Sequence, residues 1–160
     1  TYTGVNPQGG AVEGVSFFIQ GSAPPVELNP DVDFNGSCGV EWTCLSAVSA
    51  TTITGGQANI AGGGKVALVS PPTLDPAKTY TVVLDVASIN AGGGIGITLG
   101  GLTTTANPAV GINEYPGFTG PDIGTGDFAI NKDFDGDTYV VLNSWSIKQS
   151  GGGAGDIPAD

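Results

Sequence analysis

The sequence predicts an all-β domain, and three observations predict it. Short runs rich in Val, Ile, Thr, Tyr and Phe recur along the chain, broken by Gly, Pro, Asn and Asp. Breakers are abundant, with 28 Gly and 11 Pro in 160 residues, which opposes long helices and supplies many turns. No window repeats apolar residues at i, i+3, i+4 and i+7 among helix formers.

Strands are expected near residues 15–21, 40–45, 58–60, 65–69, 80–87, 94–99, 110–115, 127–131 and 138–148, with at most a short helical turn at 46–52. In 80–87, Tyr80, Val82, Leu84 and Val86 share one face of a pleated strand. In 94–99, Ile95, Ile97 and Leu99 do the same, and the Asn- and Gly-rich linker between the two runs reads as the turn of a β-hairpin. In the last strand, Val140, Leu142, Ser144 and Ser146 fall on one face. Tyr139, Val141, Asn143, Trp145 and Ile147 fall on the other, which is the more apolar and the one expected to point inward.

Three regions follow: an N-terminal arm (1–14), the sheet domain (15–149) and a glycine-rich C-terminal tail (150–160). The ends carry too little apolar surface to offset their conformational entropy alone. No basic and apolar leader pattern stands at the start, and the absence of Met fits either a processed chain or a trimmed initiator.

Composition excludes several chemistries. Fifteen acidic residues against four lysines and no arginine give a net charge of −11. Such a surface repels nucleic-acid phosphates and anionic lipid headgroups, so neither is an expected partner. Without histidine, no Ser-His-Asp or Cys-His apparatus can be assembled. Two cysteines fall short of a zinc site, and no apolar run is long enough for a membrane-spanning helix. Paired-carboxylate catalysis needs one acid held neutral by burial, whereas the acids here sit mostly in solvated Gly- and Asn-rich turns, so no enzyme activity is expected.

Cys38 and Cys44 bracket Gly-Val-Glu-Trp-Thr, a spacing that predicts a disulfide closing a short loop; the alternative is two buried thiols acting as small hydrophobes. Asn131, Asp133, Asp135 and Asp137 place oxygen ligands at alternate positions ahead of a strand, as in the first half of a calcium loop. The later bidentate glutamate is replaced by Leu142, so the same residues also read as a solvated turn; calcium, if held, would be structural. No other cofactor is expected. The triple glycines at 62–64, 92–94 and 151–153 lead into no helix and carry no phosphate-loop pattern. Trp42, Tyr115 and Phe118 are candidate rings for stacking a sugar, Trp42 foremost because it lies inside the cysteine loop, against the alternative of ordinary core packing.

From Asp33 to Lys148 the features run DFNGSCGVEWTCL, ITGGQANIAGGGKVALVS, LDPAKTYTVVLDVAS, GIGITLGG and FAINKDFDGDTYVVLNSWSIKQ. This order resembles the carbohydrate-binding-module-like (galactose-binding-like) β-jelly-roll domain of phage virion proteins and modular polysaccharide enzymes. Trp42, residues 53–58, 77–86, 94–101 and 134–147 carry the likeness, and the ending Asn143-Ser144-Trp145-Ser146-Ile147 departs from it. The resemblance implies an antiparallel two-sheet β-sandwich (jelly roll). It points to a non-enzymatic virion structural protein, a capsid decoration (cement) protein or tail component. The expected partners are a major capsid or tail protein and copies of the chain itself, and the expected location is the virion. Two alternatives stand beside it: a carbohydrate-binding module, secreted or in a receptor-binding protein, and a filament or surface-layer subunit polymerising by strand donation through residues 15–21 or the arm.

Overall fold

In the computed structural model of the chain, the described residues are 24–47, 49–90, 94–124, 126–133 and 137–150. They carry eleven strands: β1 (Val26–Glu27), β2 (Trp42–Leu45), β3 (Thr52–Thr54), β4 (Gln57–Ala61), β5 (Lys65–Leu68), β6 (Tyr80–Ile89), β7 (Ile95–Leu99), β8 (Leu102–Ala106), β9 (Gly111–Phe118), β10 (Phe128–Lys132) and β11 (Tyr139–Gln149). A 3-10 turn at Pro121–Ile123 is the one helical element among these residues, and the described residues of 46–52 form none. The expected strand at 15–21, the arm and residues 151–160 of the tail lie outside the described residues.

The strands form two antiparallel sheets, a β-sandwich. One has the order β3-β4-β11-β6-β9, with β1 also on β11; the other has the order β2-β5-β10-β7-β8. Strand β1 pairs with the end of β11 at Val26–Gln149, beyond the stretch of β11 that β4 occupies. The interior is built by strand alternation. Tyr80, Val82, Leu84 and Val86 of β6 and Ile95, Ile97 and Leu99 of β7 are all buried in one core cluster with Val66, Phe128 and Ile130.

Two expectations are corrected. Strands β6 and β7 are not a hairpin: β6 lies between β11 and β9 in one sheet, and β7 between β10 and β8 in the other. Each apolar face needs a facing layer, and separate sheets supply one where a single hairpin would not. In β11 the inward residues are Val140, Leu142, Trp145 and Ile147, not Tyr139, Val141 and Asn143 with Trp145 and Ile147. The register against β6 shifts between Leu142 and Ser144, and this β-bulge reverses which alternate residues point inward.

The tight hairpins are instead β3–β4 and β7–β8. Thr54 pairs with Gln57 across Gly55-Gly56, at φ +62 and +76, the left-handed pair that a two-residue primed turn requires. Leu99 pairs with Leu102 across Gly100-Gly101, with Gly100 at φ +61.

Candidate functional site

Asp31 organises the loop that precedes β2. Its carboxylate accepts the backbone N–H of Asn35 (2.8 Å) through one oxygen, and those of Gly36 (2.8 Å) and the Trp42 indole (2.6 Å) through the other. That clamp holds Phe34 at φ +51, a left-handed conformation costing about 1 kcal/mol in a bulky residue, with its ring centroid 5.1 Å from that of Trp42. Trp42 in turn lies 5.7 Å from Trp145, and both rings are fully buried.

Trp42 is therefore not a stacking platform. It is 0% exposed, because its place in β2 pairs it with Leu68 and turns the ring into the sandwich. Cys38 and Cys44 are joined by a disulfide with Cα atoms 5.5 Å apart, closing the loop around it. Val40 at the loop tip and Val69 on the neighbouring segment are exposed; with Asp31, Glu41 and Leu68 they line a shallow cleft of about 250 Å³.

Tyr115 and Phe118 come together at the opposite flank. Both lie on β9, which is hydrogen-bonded to β6 on one side and, among the described residues, forms a sheet edge on the other; β8 forms the matching edge of the second sheet. A bulge at Pro116-Gly117, with Gly117 at φ +90, lets Phe118 pair with Tyr80 while Tyr115 pairs with Val82. The two rings line a cleft of about 190 Å³ with Leu102, Thr104 and Pro116. Phe118 is buried at its floor, so Tyr115, half-buried, is the ring a ligand would meet. Burial raises the Tyr115 phenol above its ordinary value by withdrawing water from the phenolate.

Just before and along β9, Val110 is 66% and Ile112 67% exposed. Ile112 pairs with Asp85, on the outer face of its sheet. An edge strand with an exposed isoleucine is a surface that neighbouring chains can pair with. The residues mark a strand here but not its exposure, because position at a sheet edge is a property of topology.

The candidate calcium residues are spread over different roles. Asn131 is paired within β10 to Gly96 and Lys65, and a Cβ at Gly96 would overlap its side-chain oxygen. The Asp133 N–H donates to the Gly94 carbonyl at 3.1 Å, and the Asp137 carbonyl accepts from the Asn90 side chain at 2.9 Å. Asp135 lies outside the described residues. Among the described residues no three Cys, Asp or Glu gather into a metal-holding group. One inward residue was unforeseen: Lys132 follows Ile130 on the interior face of β10, buried, and its ammonium donates to the Gly94 carbonyl at 3.2 Å.

On the outer face of the larger sheet a polar row crosses three strands. The Gln57 amide donates to Asn143 Oδ1 (2.7 Å), and Asn143 Nδ2 donates to Asp85 (3.2 Å). The bulge in β11 is what turns Asn143 toward both. Comparison with known proteins finds no matching family model, no matching curated protein and no matching solved structure.

Proposed function

We propose that this chain is a non-enzymatic structural subunit of a virion, a capsid decoration or tail component that acts through its surfaces, built on a jelly roll. What supports the jelly-roll reading is the nesting of strand pairs: β4 with β11, β5 with β10, β6 with β9, and β7 with β8. The observation that carries the functional reading is the open flank formed by edges β8 and β9, with Val110 and Ile112 exposed beside it. Exposed Val110 and Ile112 beside a sheet edge that no described strand pairs cost solubility in a lone chain and gain burial in an assembly.

The test is a pair of lysines at the edge. Val110→Lys with Ile112→Lys should lower incorporation into the particle while leaving the melting of the isolated chain nearly unchanged, since neither side chain is in the core. Undiminished incorporation counts against β9 as the interface. A second reading, a carbohydrate-binding module, is favoured by the Gln57–Asn143–Asp85 row with Tyr139 on the same face. Saturable glycan binding lost in Asn143→Ala would promote it, and a blank glycan array would dismiss it.

A further inference from the structure

Where β4 ends and β11 begins, a cleft of about 200 Å³ opens on the outer side of the larger sheet. Its walls carry Ser49, Asn59, Asp137, Thr138 and Tyr139. The backbone there is fixed on both sides. The Gly62 N–H donates to the Thr138 carbonyl (2.7 Å), while the Asn90 side chain donates to the Asp137 carbonyl and accepts the Tyr139 N–H (2.6 Å). Thr138 is only 9% exposed, and its hydroxyl has no hydrogen-bond partner among the described residues. A buried hydroxyl left without a partner costs stability that a bound polar group would restore.

We infer that this cleft receives a cationic side chain, lysine or arginine, from a partner protein. The polar groups around it are oxygen acceptors of the kind an ammonium or guanidinium needs: one carboxylate at Asp137, hydroxyls at Ser49 and Thr138, and the Asn59 amide oxygen. Tyr139, 38% exposed, adds a ring face for cation–π contact. The net charge of −11 draws cations toward the whole surface, and Asp137 sets where one docks. A second copy offers few sources: of four lysines and no arginine, Lys132 is buried and Lys65 pairs with Asp127 at 3.2 Å, which leaves the exposed Lys78 and Lys148.

This inference rests on the assembly reading only for the source of the cation. Cleft binding is measured on the isolated full chain and assembly on particle incorporation, so either can fail without the other. The experiment is an amide-resolved NMR titration with Nα-acetyl-lysine amide and Nα-acetyl-arginine amide. The expected result is saturable shifts confined to residues near 49–61 and 137–139, weakening with salt and absent for lysine acetylated at Nζ. Asp137→Asn should weaken binding about tenfold, the loss of one charge-assisted hydrogen bond. Thr138→Val should weaken it less, with the amide spectrum elsewhere unchanged to certify the fold. Shifts spread over the acidic surface and indifferent to Asp137→Asn would overturn the proposal. So would saturation of the cleft by neutral monosaccharides or by calcium alone, with the amines silent.

Discussion

Replacing Asp31 with alanine removes three hydrogen bonds at once, and the structure allows the cost to be worked bond by bond. The Asn35 and Gly36 N–H groups lie near solvent, so each loses only a net bond to a charged acceptor, about 1 kcal/mol apiece after water replaces the carboxylate. The Trp42 indole differs. Its ring is fully buried, and its N–H would be left without an acceptor, costing about 1–3 kcal/mol. The sum is about 3–5 kcal/mol, or about 6–20 °C in Tm for a domain of this size. Denaturant unfolding followed by tryptophan fluorescence measures it, since Trp42 and Trp145 are the chain's two tryptophans and are in contact. A double-mutant cycle with Trp42→Phe isolates the indole bond, because Asp31→Ala should cost about 1–3 kcal/mol less once the donor is gone. An Asp31→Ala midpoint equal to wild type, or strict additivity with Trp42→Phe, would refute the reasoning.

Other outcomes follow from the same structure. Reducing the Cys38–Cys44 bond releases a short loop, so the fold should survive with a loss of about 2 kcal/mol, read as a lower Tm in reductant. Gly96→Ala should destabilise by about 1–3 kcal/mol because its Cβ would overlap the Asn131 side chain, and Asn131→Ala in the same chain should recover most of that loss. The raised Tyr115 phenol gives a pH signature: the folded state holds this proton more tightly than the unfolded state. Stability from this group is full below pH 10, falls as pH climbs past 10, and levels above the folded value; Tyr115→Phe should flatten that decline in alkaline melts.

Much of the sheet structure was legible because its signals are local. The alternation in 80–87 and 94–99 marked β6 and β7, since period-two burial depends only on a residue's own strand. Strands β3 and β8 were also within reach, because Gly-Gly between Thr54 and Gln57, and again between Leu99 and Leu102, is a two-residue hairpin signal. Both are short and carry few large apolar residues, so no period-two burial pattern marks them. What the residues alone do not carry is non-local. Which sheet β7 joins depends on partners far along the chain, and the inward face of β11 depends on a single extra residue near Asn143. For the site, the cysteine spacing was readable, but the burial of Trp42 was not. A ring inside a short polar loop reads as exposed unless the Asp31 clamp and the Phe34 contact are known.

The claim that this sandwich works by covering neighbours is tested most directly by its native mass in the material that produces it. Mass measurement under non-denaturing conditions should find the chain in a multi-copy particle with a second protein, and the Val110→Lys, Ile112→Lys chain should be released from it. A monodisperse single chain at high concentration, with no co-purifying partner and no change on substituting that edge, would contradict the account.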